Sequence, residues 1–211
     1  MRIVKGYEER RNEILETAER LFVTKGYTKT TVNDILKEIG IAKGTFYHYF
    51  KSKEEVMDEI IMRIIKEDVA KAKVIVSNPN IPVLDKLFRV LMEQSPKSGD
   101  IKEKMIEQFH QPNNAEMHQK SLVQSIIHLS PILTEVLEQG IEEGIFFTQY
   151  PQETIELLIS SAQVIFDDGL FQWKPEEMMR RAKAFIKMME ASVGAKEGSF
   201  NYMVEVLIKQ K

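Results

Sequence analysis

The 211-residue chain contains no cysteine. That absence removes thiolate catalysis, iron–sulfur ligation and cysteine zinc sites together, and it fits a reducing compartment. Ten glycines and seven prolines are too few for a collagen-like or disordered chain. Long apolar runs are missing too. The stretch 155–159 is interrupted by Glu156 and falls far short of the roughly 20 residues of a membrane span. The opening M-R-I-V-K-G-Y-E-E-R-R turns charged before an apolar core of signal-peptide length, so a cytoplasmic protein is expected. No P-loop, G-x-S-x-G, H-E-x-x-H or dinucleotide fingerprint occurs, and the carboxylates fall mostly on charged helix faces; neither an enzyme nor a cofactor is expected. His110, His118 and His128 lack the i, i+3 or i+4 spacing of a helical chelate, so no metal site is expected either.

What is present is the composition of an ordinary globular protein, 43% hydrophobic and 29% charged. The net charge of −3 conceals an asymmetry. Residues 1–53 hold 11 Lys+Arg against 7 Asp+Glu, and residues 54–211 hold 18 against 25. A basic segment joined to an acidic one fits a nucleic-acid-binding module on a second domain, and it fits plain solvated surface as well.

Helical periodicity runs through the chain, and no stretch alternates at period 2 beside a hairpin turn. An all-α protein follows. The first helix is expected over about 7–25, with Ile14, Leu15, Ala18, Leu21 and Phe22 on one face and Gly26 as its stop. The second opens on a Thr31 cap with Asp34 three residues on, buries Val32, Ile35, Leu36 and Ile39, and ends at Gly40. A short third helix covers about 43–50. Ser52 and Glu55 then form a capping box for a long fourth helix reaching Val76. After the linker 77–82, helices are expected over about 83–94, 100–110, 114–129, 131–143, 151–171 and 175–193, with a short one near 200–209; the break at Ser130-Pro131 separates two of them.

The second and third helices, joined by Gly40-Ile41-Ala42, have the local pattern of a helix-turn-helix. At 100° per residue Phe46 and Phe50 share one side of the third helix. Gly44, Thr45, His48 and Tyr49 lie on the other, with Lys43 and Tyr47 flanking. The tyrosines and His48 bring donors suited to phosphate oxygens, Gly44 leaves room for close approach, and Thr45 offers a hydroxyl and a methyl to a base edge. A structural αα-hairpin filled with aromatics is the competing reading of this pattern.

The run A-E-R-L-F-V-T-K-G-Y-T-K-T-T-V-N-D-I-L-K-E-I-G-I-A-K-G-T-F-Y-H-Y-F-K-S-K-E-E-V closely resembles the DNA-binding segment of the tetracycline-repressor (TetR) family of bacterial regulators, without a gap over about residues 8–60. The resemblance implies an N-terminal three-helix DNA-binding domain with a helix-turn-helix over 1–53, a connecting helix and linker over 54–80, and a helical effector-binding and dimerisation domain over 81–211. It also implies that Lys43, Gly44, Thr45 and Tyr47 face base edges and nearby backbone. His48, Tyr49 and Lys53 would take phosphates, and Thr30 and Thr31 would anchor one at the second helix. Ala42 departs from the Ser found in many members. The expected protein is a repressor on a partly palindromic double-stranded DNA operator, released by an unidentified small-molecule effector.

In the second half the residue signals are less specific. The helices of about 151–193 carry apolar residues on more than one face, which fits a homodimer interface with Ile159 and Phe185 as test positions, or a monomer using both faces internally. An effector pocket is expected between the helices of 83–129 and the helix from Pro151, lined by Phe88, Met92, Met105, Phe109, His110, Met117, His118, Ile126, Gln163 and Phe166. The alternative is a DNA-binding interaction protein, such as a division or nucleoid factor, without an inducer.

Overall fold

The computed structural model describes residues 6–94 and 99–204, apart from the side chain of Pro112. Among the described residues the chain forms α1 (Tyr7–Lys25), α2 (Val32–Ile39), α3 (Lys43–Tyr49), α4 (Lys53–Val76), α5 (Val83–Gln94) and α6 (Ile101–Phe109). A 3₁₀ turn (Pro112–Asn114) leads into α7 (Ala115–Glu142), followed by α8 (Pro151–Ile165) and α9 (Pro175–Ser192). The all-α class holds, and the described residues contain no strand. Of the short helix expected over 200–209, residues 201–204 are helical and the rest lie outside the described residues.

Two helix boundaries differ from the sequence expectation for identifiable reasons. The break at Ser130-Pro131 is absent, and α7 runs straight through Pro131. Proline leaves the carbonyl four residues back without its donor, but Pro131 and Ile127 are both solvent-exposed, so water can reach that carbonyl. Side chains reinforce the same turns: Ser130 Oγ donates to the Ile126 carbonyl at 2.6 Å and Thr134 Oγ1 to that of Ser130 at 2.8 Å. Helix α8 stops at Ile165 rather than Phe171. Asp167 Oδ1 accepts from the Gly169 and Leu170 amides, closing a turn, and Trp173 Nε1 donates to the Ile165 carbonyl at 2.9 Å, capping the helix end.

The chain divides into two compact units, and neither is continuous in sequence. Among the described residues, unit 1 comprises 6–65 and 99–121; unit 2 comprises 66–94 and 122–204. The expected boundaries were drawn on continuous stretches, whereas α6 and the start of α7 cluster with the first three helices. In unit 1, α1 packs against α2 and α6, with Ile14, Leu15, Ala18, Phe22, Ile35, Phe46, Phe50, Met57, Ile60, Met105 and Phe109 among the buried residues. Unit 2 is built on an apolar cluster that includes Leu87, Val90, Leu133, Val136, Leu137, Ile155, Leu158, Ile186, Met189 and Phe200. Gly140 of α7 is dictated by packing there: a Cβ would lie 2.0 Å from the Phe146 ring.

Candidate nucleic-acid interface

The recognition face is assembled from local capping chemistry. At the start of α2 the Thr31 hydroxyl accepts from the Asp34 amide at 3.2 Å, and Asp34 Oδ2 accepts from the Thr31 amide at 2.8 Å, a complete capping box. Lys25 closes the same corner at 2.7 Å. Hydrogen bonds from Lys25 and then Thr31 hold the Asp34 carboxyl well below the usual carboxylate range. Helix α2 ends at Gly40, whose φ of 75° is the left-handed conformation that turns the chain into α3. Ser52 accepts from the Glu55 amide at 3.1 Å at the start of α4, and the Glu55 carboxylate reaches the Lys51 amide rather than that of Ser52.

Phe46 and Phe50 are buried to 0% and 2% exposure and anchor the inner side of α3. Lys43, Gly44, Tyr47 and His48 are exposed, and Thr45 and Tyr49 are half-buried. A Cβ built at Gly44 meets nothing within 4 Å, so the helix surface is open there. The Lys43 ammonium lies 5.8 Å from the centre of the Tyr47 ring. Tyr7, at the first position of α1, packs against Tyr49 with ring centres 4.8 Å apart and the ring planes tilted by 42°, and residue spacing gave no signal of this contact.

Two of the expected phosphate ligands have internal partners in this structure. Thr30 is buried at 1% exposure, and its hydroxyl donates to the Gly26 carbonyl at 2.8 Å. The Lys53 ammonium donates to the Tyr27 and Thr30 carbonyls at 2.9 and 3.0 Å and sits 4.0 Å from the centre of the Tyr27 ring. Burial pulls its pKa down, opposed by the neighbouring Glu54 charge. The role this geometry supports for both residues is holding the α1–α2 turn. Burial first, then Glu54, pushes the Tyr27 phenol upward, so it stays protonated.

The same turn is gripped from α6. Gln108 Oε1 accepts from the Tyr27 amide at 3.4 Å, Asn114 Oδ1 accepts from the Thr28 hydroxyl at 3.3 Å, and Asn114 Nδ2 donates to the Gln108 carbonyl at 2.6 Å. Two ion pairs join α1 to α4, Arg11–Glu59 at 2.8 Å and Glu19–Arg63 at 2.6 Å.

Comparison with known proteins agrees with this geometry. Residues 14–60 match the family model for bacterial regulatory proteins of the tetR family, and residues 97–188 match the tetracyclin repressor-like C-terminal domain. The HTH-type transcriptional repressor KstR2 of Mycobacterium tuberculosis is 30% identical over 152 residues, 69% of this chain and 73% of that protein. The chain belongs to the TetR family. Another relative, the uncharacterized HTH-type transcriptional regulator YhgD of Bacillus subtilis, is 30% identical over 139 residues, 65% of this chain and 70% of YhgD. A TetR-family transcriptional regulator from Pectobacterium atrosepticum superposes with a TM-score of 0.64 at 17% identity, covering 88% of this chain and 95% of that one, which shows the fold alone. As a TetR-family member the protein is a DNA-binding transcriptional regulator and not an enzyme. Among the described residues no helix is long and apolar enough to cross a membrane.

The structure distributes the residues expected to line an effector pocket over both units. Met105, Phe109 and Met117 are buried within unit 1. His110 and His118, eight residues apart, come together at 5.1 Å between ring centres because the 3₁₀ turn lies between them, and His118 also stacks on Phe109. In unit 2, Phe88 meets Tyr202 edge-on, Phe166 meets Phe185 edge-on, and Met92 and Ile126 are half-buried. Gln163 Nε2 donates to Ser125 Oγ at 2.9 Å, while its buried Oε1 has no hydrogen-bond partner among the described residues. A cavity of about 20 Å³ in unit 2 is lined by Leu87, Leu91, Leu133, Ile155, Phe185 and Met189 among others, and by none of the expected set.

Proposed function

We propose that the protein represses transcription by binding a partly two-fold-symmetric operator as a dimer, one α3 in each major groove, and that a small, mostly apolar molecule releases it. The observation that carries the DNA reading is the two-sided α3: Phe46 and Phe50 fix it from behind, while Lys43, Gly44, Tyr47 and His48 face solvent in front. Thr45 and Tyr47 would read base edges, and Thr31, Lys43, His48 and Tyr49 would hold backbone. Phosphate contacts release counterions, so affinity has to fall steeply with salt. Selection from a randomised duplex pool tests this: the expected result is an enriched motif with two half-sites about one helical turn apart, altered at one position by Thr45→Ala. No enriched motif and no salt dependence would sink the reading.

Dimerisation through α8 and α9 draws support from Leu157 (72% exposed), Val164 (40%) and Met188 (45%), large apolar side chains left on the outside of those helices. Ile159 and Phe185 are the wrong test positions. Ile159 is 6% exposed in the unit 2 core, and Phe185 packs on Phe166, so a charge there would damage folding first. Paired Leu157→Glu and Met188→Glu substitutions should give a folded monomer by sedimentation, with operator affinity lost because both half-sites can no longer be held by one particle.

Release needs a route to α3, and the grip of Gln108 and Asn114 on the 27–28 turn supplies one: any shift of α6 disturbs the turn that leads into α2. Coupling of about 1–3 kcal/mol would weaken operator binding roughly 5- to 150-fold, and operator would weaken effector binding by the same factor. The alternative reading is an interaction protein without an inducer, and small molecules that bind with no effect on operator affinity would favour it.

A further inference from the structure

We propose that Tyr7 is a positioning residue of the DNA interface: its ring, delivered by the first turn of α1, fixes the orientations of His48 and Tyr49 at the end of α3 before DNA arrives. The inference rests on the operator reading above and extends it to a residue outside the helix-turn-helix. Tyr7, His48 and Tyr49 form a closed three-ring cluster. The ring centres lie 4.8 Å apart for Tyr7–Tyr49, 5.9 Å for Tyr7–His48 and 5.0 Å for His48–Tyr49, and the two contacts of His48 are edge-on. Among the described residues, Tyr7 is the one ring outside α3 that touches either of the pair.

The need for such a contact follows from the helix. Seven residues make barely two turns, and an isolated helix of that length is unstable in water. Ala42 at its N-cap supplies no side-chain hydrogen bond. Phe46 and Phe50 secure the inner side only, so the outward side chains are left to rotate unless something covers them. Tyr7 does so while 52% exposed, at a helix start whose N-cap, Gly6, also offers no side-chain bond. A ring that gains little burial there and still meets two prospective phosphate ligands is placed to lower the ordering cost of binding.

A duplex selected by the wild-type protein is the probe, with affinity read by fluorescence anisotropy and fold checked by melting. Tyr7→Ala should weaken binding about tenfold, and Tyr7→Phe, which keeps the ring, should recover most of that loss. In a His48→Ala/Tyr49→Ala background, measured at low salt, the penalty of Tyr7→Ala should shrink below about twofold, because its effect passes through those side chains. Tyr7→Leu, which keeps apolar cover without a flat ring, should behave as Tyr7→Ala and guards against a variant that simply frays α1. Equal losses in Tyr7→Phe and Tyr7→Ala would assign a direct hydroxyl contact instead. A full tenfold loss persisting in the double background would assign a purely structural role. Either result overturns the proposal while leaving the operator reading intact; failure of the wild type to select any duplex overturns both.

Discussion

Unit 1 and unit 2 are held together by different means. Unit 1 closes its turns with directed polar contacts: the Thr31–Asp34 box, the Lys53 ammonium on two carbonyls, the Gln108–Asn114 grip, and two α1–α4 ion pairs. Unit 2 relies on a broad apolar cluster, mostly aliphatic with Phe146 and Phe200 among it, with a few charges closing a helix end and a turn, such as Lys86 on the Val76 carbonyl and Glu190 on the Gly198 and Phe200 amides. A surface that must match the fixed geometry of a DNA groove needs side chains held in one place, and directed bonds do that. A core that only has to be apolar and filled tolerates many sequences. Mutations should separate the two.

The largest effect is expected from Phe46→Ala in unit 1. The side chain is fully buried behind α3, and truncating such a residue costs about 3–5 kcal/mol. Helix α3 has few other anchors, so operator binding should disappear even where circular dichroism still reports a largely helical chain. A variant that keeps near-wild-type affinity would show that α3 does not depend on its inner face, and the contrast between the units would fail.

That difference also decides what could be read from the sequence. Thr31 with Asp34, Gly40 as a left-handed stop, and Phe46 with Phe50 are all legible because the partners lie within four residues and the chemistry is specific to residue type. For Lys53 the family resemblance implies a phosphate contact, while its acceptors in the structure, the carbonyls of Tyr27 and Thr30, are 26 and 23 residues away. No spacing rule reaches them. Tyr7 is hidden for the same reason: its partners are on α3, and an aromatic at a helix start has no local signature. Met105, Phe109 and Met117 are buried as helical periodicity implies, but periodicity says which face is buried and not against what. Pro131 misled because a proline in a helix is tolerated where solvent can take the orphaned carbonyl, which depends on exposure rather than on the local sequence.

A middle-sized effect should come from Lys53→Met. The substitution keeps the stem and removes the ammonium, taking a donor from the Thr30 carbonyl and one of two from the Tyr27 carbonyl, which keeps the Thr30 amide at 3.2 Å, and ending the contact with the Tyr27 face. A loss of about 1–3 kcal/mol is expected. The informative measurement is the salt dependence of operator binding. A phosphate ligand, once removed, lowers the slope of log affinity against log salt by about one per contact. An internal brace lowers the denaturation midpoint and leaves that slope alone. The second pattern is expected here, and a reduced slope at unchanged stability would return Lys53 to the DNA.

The smallest effect belongs to unit 2 and has the opposite sign. Val193 is fully buried and lines the cavity of about 20 Å³. Its backbone is fixed from both sides, since its amide donates to the Met189 carbonyl at 3.0 Å and its carbonyl accepts from the Phe147 amide at 2.9 Å. Val193→Ile keeps the β-branch and adds one methylene directed at the void. A fully buried methylene contributes about 0.8 kcal/mol, and imperfect fit takes back part of it, so a gain of about 0.5 kcal/mol is expected, a rise of roughly 1–2 °C in melting temperature for a chain of this size. Overpacking a well-filled core would instead cost about 1–3 kcal/mol, so the sign alone distinguishes a real void from a filled one. Because the cavity lies in the apolar cluster rather than among the directed contacts of unit 1, operator affinity without effector should be unchanged. If filling this void alters operator binding in the absence of any ligand, the two units are energetically coupled through the core itself, and the division of labour between a specified surface and a tolerant interior would have to be given up.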